Sequence, residues 1–365
     1  MKRTGKVVKI ALLALLAVML LVIGVTFIIH RIKTGKEQDL LKEKGYYNPV
    51  SVGDYSLNVA KFGKENGGHT IVAMSGLGMG DFPITARQMT SALEEDNLVV
   101  FIDRAGYGLS DDTGNDMTIE YIVEDYRKAL KNAGLTAPYI LMPHSMGGVY
   151  ANYWSGMYPE EVEAVVFVDG TPLSDAVFEN NSEDSVGFED RILSFLSNLG
   201  FVRYQLRDIQ DLLPDNYTEA DQDMADALQL RTECTIALAS ECCFHDKNLQ
   251  TAWKELKKSD IPKLYICASW GYKTKEEFEE YLKWYVTLGE KNGRDMQTLL
   301  SEATDEKIQQ QLNEYEKLRN DIIYPYAEKM GNCEVALLPG NHAIYEQKPE
   351  ECGTLIIDFI NGLDK

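Results

Sequence analysis

Ser145 stands where the chain could expose a hydroxyl for nucleophilic attack. The apolar run 139–143 predicts a buried strand, and the segment that follows Gly147-Gly148 predicts a helix. A sharp strand-to-helix turn between them would lift the Ser145 hydroxyl clear of the backbone, within reach of a base and a substrate carbonyl. The turn reads Pro-His-Ser-Met-Gly and so departs from G-x-S-x-G at its first position, where proline stands. This match alone leaves an ordinary turn serine as the alternative.

A serine hydroxyl needs a neighbouring base to remove its proton, and His342 is the candidate for that base. Of the five histidines in the chain, only His342 lies in a loop after a late strand-like run, 334–338. We expect His144, beside the serine, to shape the pocket rather than act as the base. For His342 the alternative is a loop histidine that only forms a structural hydrogen bond. The other three histidines are His30, His69 and His245.

Further strand-like runs end in polar or glycine-rich loops, in an order that carries more information than the serine turn. These segments are 69–80, 97–111 with its D-R-x-G-x-G-x-S turn, 162–172 and 334–342. Together with the serine turn they resemble the α/β-hydrolase superfamily over residues 55–362. The resemblance implies a mainly parallel central sheet with helices on both faces. It also implies a nucleophile, an acid and a histidine in that chain order.

The acid partner of His342 does not follow the usual pattern of the superfamily. Relatives usually carry it after the strand that here reads 262–269, but no aspartate follows that strand closely. A minority carry it one strand earlier, where this chain has Asp169. We therefore expect Asp169 to orient the His342 imidazole, with a turn-capping aspartate as the alternative. Three other carboxylates are weaker candidates: Glu276, Glu277 and Asp321.

An acyl-transfer site also needs two backbone N–H groups to stabilise an oxyanion. The resemblance places one of them at Met146 and the other at Leu77. Relatives commonly have His-Gly where this chain has Ser75-Gly76, a difference that need not matter because the donor is a backbone group. We expect Asp103 and Arg104 to fix the loop after their strand rather than to take part in chemistry.

Apolar runs of five to eight residues alternate with amphipathic stretches such as 119–133, which independently favours a mainly parallel sheet with helices on both faces. A chain of 365 residues can bury a large core. We expect one α/β-hydrolase domain over 55–365. A helical cap is expected at about 172–260, and a second helical insertion at about 273–330. The apolar stripes of the second insertion, near 278–288 and 308–318, are expected to be packing faces.

The N-terminus predicts a membrane anchor. Residues 10–29 contain no charge and no proline, and about 20 such residues can cross a bilayer as a helix. Basic residues flank the run on both sides, and the N-terminal cluster favours a cytoplasmic N-terminus. We expect an anchor over 1–36 and a polar linker over 37–54. This gives a single-pass protein of the cell membrane with an extracytoplasmic catalytic domain. A cleaved signal peptide is the alternative.

The formal net charge of −21 excludes nucleic acid as an expected partner, because such a surface repels phosphates. The cysteines lack the spacing of a zinc site, so no metal is expected. No other cofactor is expected either. In an outward-facing domain Cys333 and Cys352 could form a disulfide, with buried free thiols as the alternative.

The sequence thus predicts a serine hydrolase that acts on a carboxylic ester of a small or lipid-like substrate through an acyl-enzyme. A peptidase of the same fold, acting on an amide, is one alternative. A non-catalytic binding protein is the other. Dehalogenase and epoxide hydrolase chemistry are disfavoured, because both require an aspartate at the position of Ser145.

Overall fold

Short runs of β-branched and aromatic residues form the strands of an eight-stranded sheet in the computed structural model, which describes residues 2–175, 185–206 and 212–363. The strands are β1 (Pro49–Ser51), β2 (Ser56–Gly63), β3 (Thr70–Met74), β4 (Leu98–Ile102), β5 (Tyr139–Pro143), β6 (Val162–Val168), β7 (Lys263–Cys267) and β8 (Cys333–Leu337).

The strand order is β1-β2-β4-β3-β5-β6-β7-β8. β2 pairs antiparallel with β1 and β4, whereas every neighbouring pair from β4 to β8 is parallel. Every residue of β4, β5 and β7 is buried, which explains why these strands are apolar apart from Lys263 at the start of β7. The predicted fold class is confirmed. The parallel arrangement brings the loops after β5, β6 and β8 to one edge of the sheet.

Helices cover both faces of the sheet. One core contains buried side chains of the helices at 119–132, 147–157 and 245–255, and the other contains those of the helices at 82–85, 87–90 and 349–363. The helices up to the end of β6 are α1 (Lys2–Glu43), α2 (Phe82–Thr85), α3 (Arg87–Thr90), α4 (Ile119–Asn132) and α5 (Gly147–Met157). After β8 come α15 (Ile344–Gln347) and α16 (Pro349–Leu363).

Two sets of helices are inserted along the chain, one before β7 and one after it. The cap helices, between β6 and β7, are α6 (Phe188–Asn198), α7 (Val202–Leu206), α8 (Glu219–Thr232), α9 (Ile236–Cys243) and α10 (His245–Glu255). The second insertion, between β7 and β8, contains α11 (Lys275–Lys291), α12 (Gln297–Glu302), α13 (Asp305–Leu318) and α14 (Tyr324–Met330). Apolar residues of α11 and α13 pack around Tyr272. The apolar stripes expected near 278–288 and 308–318 therefore form a small core of their own.

The helix α1 continues well past the apolar segment. Within the described part of the chain it is the helix that is long and apolar enough to cross a membrane, by length and composition. Where a polar linker was expected over 37–54, the helix runs to Glu43 and β1 follows. The reason is that Leu41 is apolar and fully buried, packing in one cluster with Met224 and Leu228 of α8.

The disulfide considered between Cys333 and Cys352 is absent, since both thiols are free. Cys333 packs at the edge of the core on one face of the sheet, and Cys352 is buried in the core on the other face. Cys352 Sγ instead lies 3.3 Å from Met89 Sδ. Their positions on opposite faces explain why the pair does not form.

Candidate active site

The turn between β5 and α5 has the geometry that its sequence predicts. Ser145 has a positive φ of 49°, a conformation that L-residues rarely adopt and that persists only where the surroundings enforce it. A Cβ on Gly147 would fall 2.7 Å from the Met74 carbonyl oxygen of β3, so only glycine fits there. Pro143 is the last residue of β5 and is buried, paired with Met74. The tight approach is thus at Gly147, and the first position of the motif can hold proline.

Asp169 and His342 meet at the same edge of the sheet. The distance from His342 Nδ1 to Asp169 Oδ2 is 2.8 Å. The Asp169 side chain is 8% exposed, whereas that of His342 is 53% exposed. The other carboxylates considered lie elsewhere: Glu277 caps the start of α11 and Asp321 pairs with Lys317.

The surroundings of Asp169 favour its ionised form. Burial alone would raise the pKa of this carboxyl, but the hydrogen bond and charge of His342 act in the opposite direction. Ser269 Oγ also donates to Asp169 Oδ2 at 2.5 Å, and the Ala268 N–H donates to Oδ1 at 2.8 Å. Together these donors hold the pKa below its ordinary value, so the carboxylate is a fixed acceptor for the imidazole.

His144 connects the serine turn to the loop that carries His342. Its ring centroid lies 4.6 Å from that of His342, and its Nε2 lies 3.0 Å from the His342 carbonyl oxygen. Residues 145 and 342 are therefore neighbours in space. Within the described chain, the Ser145 hydroxyl and the His342 imidazole are not hydrogen-bonded. In unliganded active sites, a hydrogen bond between nucleophile and base often forms only when the substrate binds.

His144 is itself enclosed by aromatic rings. It stacks on Phe82 with centroids 5.9 Å apart and meets Tyr345 edge-on at 5.0 Å. Burial lowers its pKa to about 3, and the nearby His342 charge adds to the effect. A neutral His144 must carry its proton on Nε2 to donate to the His342 carbonyl, which fixes the position of the His342 loop.

The loop after β3 supplies the other candidate oxyanion donor. Neither the Leu77 nor the Met146 backbone N–H donates to another group within residues 2–175, 185–206 and 212–363. The loop carbonyls, in contrast, are held firmly. Arg104 Nη1 donates to Ser75 O at 2.7 Å, and Arg104 Nη2 donates to Gly76 O at 2.6 Å. We call residues 75–80 the oxyanion loop.

Three cap residues that the sequence did not single out hold this region. Gln229 donates to Gly78 O at 2.9 Å and accepts from the Gly80 N–H, and Thr232 Oγ1 accepts from the Gly108 N–H. Glu241, fully buried on α9, accepts from Arg104 Nε at 3.1 Å. The available signal for Glu241 was a single charge in the otherwise apolar segment of α9.

The Arg104–Glu241 pair is enclosed on all sides. Burial alone would lower the pKa of the Arg104 guanidinium, but the Glu241 charge overrides it and the pKa lies well above its ordinary value. The Tyr150 hydroxyl donates to Glu241 at 2.5 Å, and the guanidinium lies 4.2 Å from the Tyr107 ring centroid. Asp103, next in the chain, accepts from the Leu109 N–H and so fixes the turn after β4.

A cavity of about 340 Å³ lies between α8, α11 and the loop that carries His342. Trp284 and Tyr285 line it on the side of α11, and Asn341 borders His342 directly. Its lining is acidic, with burial raising the pKa of Asp81 to about 6 and that of Glu346 to about 8. Both sets of helices thus help to form the space beside the candidate site.

We predict that Glu241→Gln lowers the free energy of unfolding by about 3–5 kcal/mol, because it leaves the buried Arg104 charge unpaired. Urea titration followed by circular dichroism measures this change. Glu219→Gln, at an exposed position of α8, serves as the control and is expected to change stability by less than about 0.5 kcal/mol. Equal stability of the two variants would contradict the role given to Glu241.

The His144 environment predicts a pH dependence of stability. A histidine in the unfolded chain has a pKa of about 6.5. Below that pH the unfolded state therefore binds a proton at His144, whereas the native state does not. The stabilisation from a neutral His144 is complete above pH 6.5 and declines toward pH 3. Between pH 7 and pH 5 the wild type should lose about 2 kcal/mol more unfolding free energy than His144→Asn. Parallel pH profiles for the two proteins would contradict this assignment.

Comparison with known proteins identifies the fold family. A family model described as the alpha/beta hydrolase fold matches residues 71–349. The chain is 37% identical over 205 residues to the uncharacterized protein YbdG of Bacillus subtilis (strain 168), an alignment that covers 56% of this chain. That alignment covers 61% of YbdG, so the chain spans less than two thirds of this relative.

Two solved structures illustrate the shared architecture. Epoxide hydrolase A from Mycobacterium thermoresistibile has a TM-score of 0.56 at 18% identity, covering 86% of this chain and 98% of that one. A bacterial membrane phospholipase A has a TM-score of 0.56 at 15% identity, covering 98% of this chain and 99% of that one. At such identities the likeness shows the fold alone. With the family match over residues 71–349 and the observed sheet order, the chain belongs to the α/β-hydrolase fold family.

Proposed function

We propose that this protein is a serine hydrolase that cleaves a carboxylic ester of a small or lipid-like substrate through an acyl-enzyme at Ser145. The observation that carries the proposal is the 2.8 Å hydrogen bond between His342 and Asp169, formed beside a serine in a strained strand-to-helix turn. This arrangement matches the requirement that a nucleophile have a base nearby and that the base have an orienting partner.

Each residue then has a defined role. The Ser145 hydroxyl attacks the ester carbonyl while His342 Nε2 accepts its proton, and Asp169 keeps Nδ1 protonated and stabilises the imidazolium. The Leu77 and Met146 N–H groups stabilise the oxyanion. The imidazolium returns its proton to the leaving alcohol. Water, deprotonated by His342, then hydrolyses the acyl-enzyme and regenerates the serine.

A peptidase of the same fold is the second candidate, and the acidic cavity beside His342 is the observation that favours it. Asp81 and Asp226 line that cavity, and their carboxylates could bind the free amine of a peptide. Comparing p-nitrophenyl esters with aminoacyl amides separates the two candidates. A serine at the turn remains unfavourable for epoxide hydrolysis, which needs an aspartate there.

We further infer that α1 is a retained membrane anchor, with the catalytic domain outside the cytoplasm. The helix is continuous from the apolar segment into the folded domain, where Glu37 forms a two-point ion pair with Arg203. Leu41 is fully buried against α8. Because α1 packs into the domain in this way, we expect it to stay attached rather than to be cleaved as a signal peptide. The basic residues at its N-terminus favour a cytoplasmic location of that end.

We expect Ser145→Ala and His342→Ala each to lower kcat for a p-nitrophenyl ester by about a thousandfold or more, because neither nucleophile nor base can be replaced. His245→Ala, a histidine on the cap helix α10, is the matched control and should retain the wild-type rate. Full activity of an Asp169→Ala variant would show that another residue is the acid partner of His342.

A fluorophosphonate probe distinguishes the enzyme from a non-catalytic binding protein. Wild type should be labelled at Ser145, and labelling should disappear in Ser145→Ala while the circular dichroism spectrum stays unchanged. Folded wild-type protein that stays unlabelled would exclude the serine hydrolase.

For the anchor, we expect the expressed chain to stay in the membrane fraction after alkaline carbonate washing, since about 20 apolar residues cross the bilayer. Intact-mass measurement should find residues 1–30 still attached. A mature protein in the soluble fraction that lacks these residues would identify a cleaved signal peptide instead.

A further inference from the structure

The cap helix α6 carries an apolar face that no part of the described chain covers. Phe188, Ile192 and Phe195 recur at the spacing of one helix face and are 77%, 42% and 63% exposed. On the side of α6 turned away from this face, Ser194 is buried. The large apolar side chains of this face are therefore turned outward, while the helix contacts the protein on the side of Ser194. Apolar faces of this kind mark contact sites, because exposing several large side chains to water is unfavourable.

The C-terminal end of α6 lies next to the end of the apolar segment of α1. Just after its end, Gly200 lies so close to His30 that a Cβ on the glycine would clash with the histidine ring. His30 directly follows the apolar segment 10–29 of α1. Thr26, one turn further into that segment and on the same side as His30, is also buried, although Val25 and Phe27 beside it are exposed.

The junction between α1 and the cap helices is held by further polar contacts. Arg203 of α7 donates to both carboxylate oxygens of Glu37 at 2.5 and 2.9 Å, and to Thr34 Oγ1 at 3.1 Å. Arg231 of α8 donates to the Thr34 carbonyl oxygen at 3.1 Å. These contacts fix the cap helices at the point where α1 leaves its apolar segment. α6 is therefore held at the level of the membrane surface if α1 spans the bilayer.

We propose that the apolar face of α6 inserts into the same bilayer that α1 crosses, so that the cap rests on the membrane. Amphipathic helices bind membranes with their apolar side at the boundary between headgroups and acyl chains. Tyr204 of α7 is 54% exposed beside this junction, and aromatic rings with a polar end favour that boundary. Lys33 and Lys36 follow the apolar segment, where their ammonium groups can lie at the level of the headgroups.

This inference rests on the proposed hydrolase activity and anchor, and it narrows the substrate to an ester delivered from the bilayer. The cap helix α8, which contacts α1 through Arg231, also lines the cavity beside His342. α8 further holds the oxyanion loop through Gln229. In this proposal an acyl ester leaves the membrane at the cap and reaches Ser145 along α8. An ester that is soluble in water does not need this surface.

The docking itself can be tested without any enzymatic activity. The full-length protein is inserted into nanodiscs of phosphatidylethanolamine and phosphatidylglycerol, with p-benzoylphenylalanine in place of Phe195. The same residue in place of Leu299, an exposed apolar position on α12, is the matched control. Irradiation should crosslink position 195 to lipid, as detected by mass spectrometry, and should give no lipid adduct at position 299. Equal lipid adducts at both positions, or adducts from position 195 only to a second copy of the chain, would overturn the proposal.

The substrate part is tested with one long-chain ester in vesicles and one short-chain ester in solution. Phe188→Ser with Phe195→Ser should raise the apparent KM for the vesicle ester about tenfold or more, because the two side chains no longer bury apolar surface in the bilayer. The KM for the soluble ester and the rate with Leu299→Ser should stay unchanged. An equal loss on both esters would overturn the substrate assignment. If neither ester is turned over by wild type, the hydrolase proposal fails while the crosslinking result still decides the docking surface.

Discussion

The close contact between β3 and the first turn of α5 is the constraint on which the candidate site depends. Gly147 packs against the Met74 carbonyl so tightly that no side chain fits between them. This packing leaves Ser145 in a conformation with positive φ, at the tip of the turn. It also brings the N–H groups of Met146 and Leu77, which lie on the two sides of the contact, to the same edge of the sheet. A strained serine and a pair of free donors are thus consequences of one packing arrangement.

The cap helices are part of the site rather than a cover over it. α8 contacts α1 on one side and the oxyanion loop on the other, through Leu228 and Gln229 respectively. α9 contributes Glu241, whose charge keeps the buried Arg104 paired while Arg104 holds the carbonyls of the loop. A continuous set of contacts therefore runs from the apolar N-terminal helix through the cap to the residues beside Ser145.

The elements of the sheet were predictable because the buried parallel strands are mainly apolar runs, and the carboxyl ends of such strands meet at one edge. The resemblance to the α/β-hydrolase superfamily predicted Asp169 as the acid partner of His342. The structure has the two side chains hydrogen-bonded, while their catalytic role stays a prediction. The contact of Glu241 with Arg104 joins residues 137 positions apart, and no local pattern specifies it. The helical segment up to Glu43 was missed for a similar reason: its stability comes from packing against α8 rather than from its own sequence.

The central claim is that the serine turn and the oxyanion loop together form one acyl-transfer site. A crystal structure of the full-length protein after reaction with a fluorophosphonate tests it most directly. The account predicts a covalent bond from Ser145 Oγ to phosphorus, with the phosphoryl oxygen about 2.7–3.1 Å from the N–H groups of Leu77 and Met146. The His342 ring should lie next to the ester oxygen. An adduct on another residue, or a phosphoryl oxygen turned away from both N–H groups, would contradict the account.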